Sequence, residues 1–581
     1  MTARIRLGLV LFFASVLTAG DAGAVDRGDR GYGITVLSGT ERERFEVEIL
    51  GVMESWGSAG NTILARLSGA GLEKTGVLQG MSGSPVYVDG TLIGAVASTW
   101  GFASEPIAGI RPIEEMRRLA DDLEAGVDET VELVDARPEP GGSGLVWSAS
   151  GFAPVLTESM QDALGAPVVQ AAAVRGGDVT LDTDGTLEAG DAVSVLLVDG
   201  DARLFATGTV TERIGDTVLA FGHPFLGAGP VSLPMARAEV VTVVPSRQIS
   251  FKMAVPTQVV GALQLDRRAG VSGRLGERAD TLPLTLRIDG ATAGDGQDYR
   301  FELARMRGLT PQLLGWAVQS AITDRRELGA NYEVHLSIEA DLADATQLRS
   351  EASLLGAGAG QQLVSEVALP VQLLQGARDG APRLESMHVD VRIEPGSRGA
   401  TIGRVQVDDP RIEPGGAIEI RVELIERERG SRWRTLTLDV PEKLGPGPYR
   451  LHVNDGARAF GEEIARSPAR WADLGMRQIR EALALRRPAT EVVAVLYGPS
   501  TSMITRGVER EDLPGTHRLA LGRSYVARGA EASVVTPLAR TSVDAGLVVQ
   551  GGSTLDLVVH GPPMAEPAPE APEGEQRGES R

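Results

Sequence analysis

The chain has 581 residues, more than one hydrophobic core can organise, with 42% hydrophobic residues, 72 glycines and 4% aromatics. Its formal net charge of -21 runs along the whole chain without a basic block, which argues against nucleic acid and anionic lipid as partners. The absence of cysteine excludes disulfides, thiol catalysis and thiolate zinc sites.

Residues 1–24, MTARIRLGLVLFFASVLTAGDAGA, carry Arg4 and Arg6, an apolar run from Leu7 to Leu17, and the small triplet Ala22, Gly23, Ala24. This is the pattern of a secretory signal peptide cut after Ala24. The run is shorter than the ~20 residues of a membrane span, no later segment is long and apolar enough, and no cysteine follows the cut to carry a lipid. A secreted or periplasmic mature protein with no transmembrane segment is expected.

Val/Leu/Thr alternation broken by glycine predicts a mainly β protein with few helices. In residues 25–126, Phe45, Val47 and Ile49 alternate with Glu46 and Glu48, the period of half-buried antiparallel strands. LQGMSGSPVYVDGTLIGAV, from Leu78 to Val96, sets Ser82 in a glycine-flanked turn ahead of an alternating strand. Pro112 to Gly126 predicts a helix, with Pro near its start and Gly at its end.

Residues 127–186 read as a linker and α/β connection, with a flexible joint at Glu139 to Gly144. Residues 187–300 are β-rich, their strands divided by Asp-Gly and Gly-Asp turns. Residues 301–395 form a further β-rich domain with one helix, Thr310 to Glu327, and 396–460 alternate regularly enough for a β-sandwich. Residues 461–558 read as an α/β segment with an arginine-rich helical piece at Arg470 to Arg487, and 559–581 as a disordered Pro/Glu-rich tail.

Serine attack on a carbonyl needs a base within reach and donors for the developing oxyanion. In GMSGSP the backbone N–H groups of Gly80 and Ser82 are candidate donors, although the same residues also describe an ordinary hairpin turn. Among six histidines, His335, His388 and His452 lie inside alternating strands, and His517 and His560 border loops without polar neighbours. His223 ends an apolar strand between Gly222 and Pro224, a place where an imidazole is held rigidly. The competing reading is a turn histidine packed on Phe221 and Phe225. No His/Asp/Glu cluster suggests a metal and no glycine pair has a phosphate-binding context, so neither metal nor cofactor is expected.

The run from Arg44 to Met116, with RFEVEILGV, LEKTGVLQGMSGSPVYVDGTLIGAV and PIAGIRPIEEM, resembles the serine-bearing half of the SpoIVB peptidases, sporulation signalling proteases with a chymotrypsin-like double barrel. GTVTERIGDTVLAFGHPF, Gly208 to Phe225, resembles their histidine-bearing half, and AGVSGRLGE, Ala269 to Glu277, is a weaker echo of a later segment. The resemblance implies a permuted trypsin-like double β-barrel over about Val25 to Arg300, and the alternation beyond it predicts β-sandwich-type domains. It implies a serine endopeptidase with Ser82 as nucleophile, His223 as base and Gly80 with Ser82 as oxyanion hole. Its partner would be a protein or peptide substrate, with envelope proteins among the candidates.

Two departures accompany it. Ser82 precedes His223, the reverse of the family order, which a geometry-defined triad tolerates. The family's acid lies just upstream of the serine block, where this chain has Ser68. Asp216, in RIGDTVL, and Glu239, in ARAEVV, are candidate replacements, and a serine–histidine dyad is the other option. The alternative function is an inactive peptidase-like envelope binding or assembly protein.

Overall fold

The computed structural model describes residues 25–559 except 54–60, 101–102, 127–144, 172–180, 248, 291–295, 324–331, 357–358, 377–381, 397–398, 427–428, 472–474, 500–501, 506–507, 511–512, 524–530 and 533–534. The signal pattern, the Glu139 to Gly144 joint and the tail from 560 lie outside these residues.

Six strands, β1 (Arg30–Ser38), β2 (Glu41–Met53), β3 (Thr62–Ser68), β4 (Pro85–Val88), β5 (Thr91–Thr99) and β6 (Ile107–Pro112), close into a barrel in the order β1-β2-β3-β6-β5-β4. The alternation predicted for β2 is the reason: Phe45, Val47 and Ile49 enter the barrel core with Ile63, Ala65 and Leu67 of β3. The closing seam pairs Gly31 to Gly33 with Val88 to Val86. A Cβ on Gly31 would stand 1.9 Å from the Tyr87 carbonyl oxygen, so the strands approach this closely because the residue is glycine.

A one-turn helix, α1 (Leu72–Thr75), precedes the Ser82 turn. Helix α2 (Ile113–Glu124) lies within the predicted span and leaves the first barrel for the second. Its Met116, Leu119 and Ala120 pack between Ala95 of the first barrel and Leu219 and Leu265 of the second.

After β7 (Trp147–Ser150) and β8 (Val168–Gln170), a second ring forms from β9 (Ala192–Gly200), β10 (Arg203–Ile214), β11 (Thr217–Ala220), β12 (Gly229–Val244), β13 (Phe251–Arg267) and β14 (Gly270–Leu275). The pairings run β9-β10-β11-β14-β13-β12 and return to β9, all antiparallel. The double barrel is therefore present, with the serine turn in the first ring and the histidine turn in the second. Main-chain hydrogen bonds join the rings: Gly39 and Val240 exchange two, at 2.8 and 2.9 Å.

The sheet of the second ring extends through β15 (Thr281–Gly290) and β16 (Gln297–Ala304) to three further strands between Tyr332 and Pro395. Helices Thr310–Thr323 and Ala359–Gln375 contribute to the core beneath it. Beyond it, two four-stranded sheets share one core from Ala400 to Val559. This sandwich is larger than the 396–460 span expected, because its second sheet is built from strands between Gly447 and Val559. Among the described residues no helix is long and apolar enough to cross a membrane.

Candidate active site

The Ser82 turn lies where the barrels meet. Gly80 and Gly83 occupy left-handed backbone space at φ 93° and 92°, which lets the chain reverse twice within four residues. Three of its neighbouring N–H groups find acceptors: Met81 on Leu78 O (3.1 Å), Gly83 on Val96 O (2.7 Å) and Ser84 on Met81 O (2.8 Å). The N–H groups of Gly80 and Ser82 have no acceptor among the described residues. Strand β10 clamps the turn from the second barrel: Thr209 N–H donates to Ser82 O (2.8 Å), Thr209 Oγ1 to Gly80 O (2.9 Å) and Thr211 Oγ1 to Gly83 O (2.8 Å). Ser82 is 8% exposed.

The histidine arrives on a second strained turn. After β11 the chain passes through Phe221 at φ 66° and Gly222 at φ 67°; the phenylalanine is in a region that bulky residues rarely occupy. The turn is seated against the serine turn: a Cβ on Gly83 would stand 2.5 Å from Phe221 N. A Cβ on Gly222 would stand 3.1 Å from Val96 O, the acceptor of Gly83 N–H.

His223 itself is 7% exposed, with Nδ1 2.7 Å from Pro224 O and an edge contact to Phe221. A carbonyl oxygen only accepts, so this contact assigns the proton to Nδ1 and leaves Nε2 as the acceptor of a neutral imidazole. Nε2 is buried with no hydrogen-bond partner among the described residues, so no hydrogen bond joins it to Ser82 Oγ. Such bonds are often long before substrate binds. Burial pushes the His223 pKa down from 6.5 to about 4; the Pro224 contact opposes this and Arg111 adds to it.

Both candidate acids stand apart from the ring. Asp216 sits in the β10–β11 turn, its side chain 81% exposed and 3.7 Å from Arg213. Glu239 projects from an exposed position on β12, and Ser68 ends β3 opposite Glu46. No hydrogen bond links any of the three to His223. The group on Nδ1 is the neighbouring carbonyl of Pro224.

A different carboxylate organises this loop. Asp266, buried on β13, accepts the N–H groups of Phe225 (2.7 Å), Leu226 (2.7 Å) and Ala228 (3.2 Å), and so fixes the chain just after Pro224. Burial raises its pKa while those N–H groups lower it, with a net rise. Asp266→Asn removes one acceptor and the charge, and is expected to destabilise the protein by about 2 kcal/mol. Denaturant unfolding of the two proteins checks this.

Residues 14–116 match the family model of the SpoIVB peptidase S55. No curated protein and no solved structure matches the chain. The S55 segment contains all six strands of the first barrel and the Ser82 turn, and it ends inside α2. The match spans the serine-bearing barrel alone, and the histidine-bearing ring follows it in the chain.

Thr209, Thr211 and Asp266 were not singled out in the sequence. One signal was there to read: Thr207, Thr209 and Thr211 alternate on one face of β10, whose middle is otherwise apolar from Leu204 to Val210, so a row of hydroxyls enters a largely buried surface. Asp266, in LQLDRR, looks like any strand-end aspartate, and nothing local shows that the chain after His223 folds back onto it.

Proposed function

We propose that the chain is an exported serine endopeptidase acting on a protein or peptide substrate, with Ser82 as nucleophile, His223 as general base and the Gly80 and Ser82 N–H groups as oxyanion hole. The observation that carries this reading is a coincidence at one buried junction. Among the described residues, two backbone donors lack acceptors there and an imidazole nitrogen lacks a donor. Buried polar groups are normally satisfied, and these are the groups that acyl transfer would satisfy. The S55 match over the serine turn and the signal pattern of residues 1–24 support the same reading.

In this mechanism Ser82 Oγ attacks the scissile carbonyl carbon and its proton passes to His223 Nε2. The carbonyl oxygen takes up negative charge between the two N–H groups. Breaking the C–N bond sends the proton from Nε2 to the leaving amine and leaves an ester on Ser82. Water attacks that ester, giving its proton to Nε2, and the proton returns to Ser82 Oγ as the acid product departs.

Pro224 O performs the orienting part of the missing acid's work, since it holds Nδ1–H and fixes the tautomer. A carbonyl dipole stabilises the imidazolium less than a carboxylate does. With its pKa near 4, the base has about 3 kcal/mol less proton-transfer driving force than a free imidazole. Slow turnover follows.

Incubation with a fluorophosphonate, read by intact mass and peptide mapping, tests the reading. One adduct on Ser82 is expected, lost in a folded Ser82→Ala variant. No Ser82-dependent adduct would favour the binding or assembly scaffold instead.

A further inference from the structure

Lys252, the second residue of β13, is buried where the two barrels meet, and the mechanism above does not use it. Its backbone N–H donates to Gln79 O (3.0 Å), while Gln79 N–H donates to Ser250 O (2.8 Å), so β13 grips the residue just before Gly80. Its stem lies along Gly80: a Cβ placed there would stand 3.2 Å from Lys252 Cδ and 3.3 Å from its Cβ and Cγ. Its Nζ donates to Thr35 Oγ1 at 2.6 Å. Thr35 Oγ1 lies 3.5 Å from Thr209 Oγ1, which donates to Gly80 O. No carboxylate pairs with the amine among the described residues.

We propose that Lys252 is the positioning residue of the oxyanion turn, fixing the carbonyls on either side of Gly80: that of Gln79 through its backbone, that of Gly80 through Thr35 and Thr209. The inference rests on the peptidase reading of this turn. In a trans peptide the N–H points opposite to the C=O. Anchoring Gln79 O on Lys252 N–H therefore aims the Gly80 N–H away from β13, and the filled space beside Gly80 resists a flip of that peptide.

Thr35 of β1 accepts from the amine, Thr209 of β10 lies against Thr35, Gly80 lies along the stem, and no charged side chain among the described residues adds to the effect of burial. Burial alone pushes its pKa down from 10.5 to about 7. A protonated amine beside the turn favours the oxyanion, and deprotonation above neutral pH withdraws that help.

The test compares wild type, Lys252→Met and Thr35→Val. It measures fluorophosphonate labelling of Ser82 from pH 6 to 9 and amide hydrogen exchange across residues 78–84. Wild-type labelling is expected to slow as pH rises through 7. Lys252→Met is expected to label about 10-fold more slowly, without that pH dependence, and to exchange faster across the turn. Thr35→Val keeps the volume and removes the amine's acceptor, so it decides the matter if Lys252→Met does not fold. Wild-type rate, pH profile and exchange in the folded variants would overturn the proposal. If wild type itself forms no Ser82 adduct, the peptidase reading fails separately, and unchanged exchange across 78–84 then overturns the role of Lys252.

Discussion

Replacing His223 with glutamine is expected to slow acylation of Ser82 by about 10³-fold while leaving the barrels folded. Glutamine fills much of the same space but cannot take the serine proton, so the loss falls on the chemical step. Labelling rate against probe concentration separates this from a loss of binding.

The pH dependence carries a sign. An ordinary imidazole is half protonated at 6.5, whereas His223 stays neutral until about pH 4. Wild-type labelling should therefore persist down to about pH 5 and collapse only below that. Stability follows the same linkage. Because the folded-state pKa is depressed, the contribution of the neutral ring is complete above 6.5 and is lost as pH falls to about 4, up to about 3 kcal/mol. The stability gap between wild type and His223→Gln should shift by that amount across this window, measured by denaturant unfolding at each pH.

The second large effect belongs to Gly83→Ala, expected to destabilise the protein by about 4 kcal/mol or to prevent folding. The added Cβ would stand 1.9 Å from Thr209 O and 2.5 Å from Phe221 N, and the backbone is at φ 92°. Both obstructing atoms are backbone, one on β10 and one in the histidine turn, so neither can rotate away as a side chain would. Relief would require the barrels to separate at the site itself. Gly76→Ala is the control: its φ is 69° but no atom lies within 4 Å of the new Cβ. That variant should lose only about 1 kcal/mol from backbone strain. Thermal unfolding of the two variants side by side distinguishes crowding from conformation.

Much of the architecture was legible because it is local. The period-two pattern of Phe45, Val47 and Ile49 leads to β2, and the Pro112 to Gly126 punctuation brackets Ile113–Glu124. The glycines around Ser82 and the Gly222-His223-Pro224 turn were legible as turns for the same reason. What the sequence hid depends on contacts between distant segments. The sandwich core joins Ala400 to Val549 and Val559, so its extent is not visible in the alternation of 396–460 alone. A search for the third site residue looks for carboxylates, and the atom on Nδ1 is a main-chain oxygen that every residue possesses. Lys252 reads as one polar residue at the start of a strand, and only the closing of the second ring places it on Gly80.

Whether Ser82, His223 and the Gly80 turn form one acyl-transfer site is decided by a crystal structure with a peptidyl phosphonate bound. The predicted result is a phosphorus–oxygen bond to Ser82. One phosphonyl oxygen should lie about 2.7–3.1 Å from the N–H groups of Gly80 and Ser82, and His223 Nε2 should come within hydrogen-bond reach of Ser82 Oγ. An adduct on another residue, or a Ser82 adduct whose oxygen points away from Gly80 while Nε2 stays unpartnered, would contradict it.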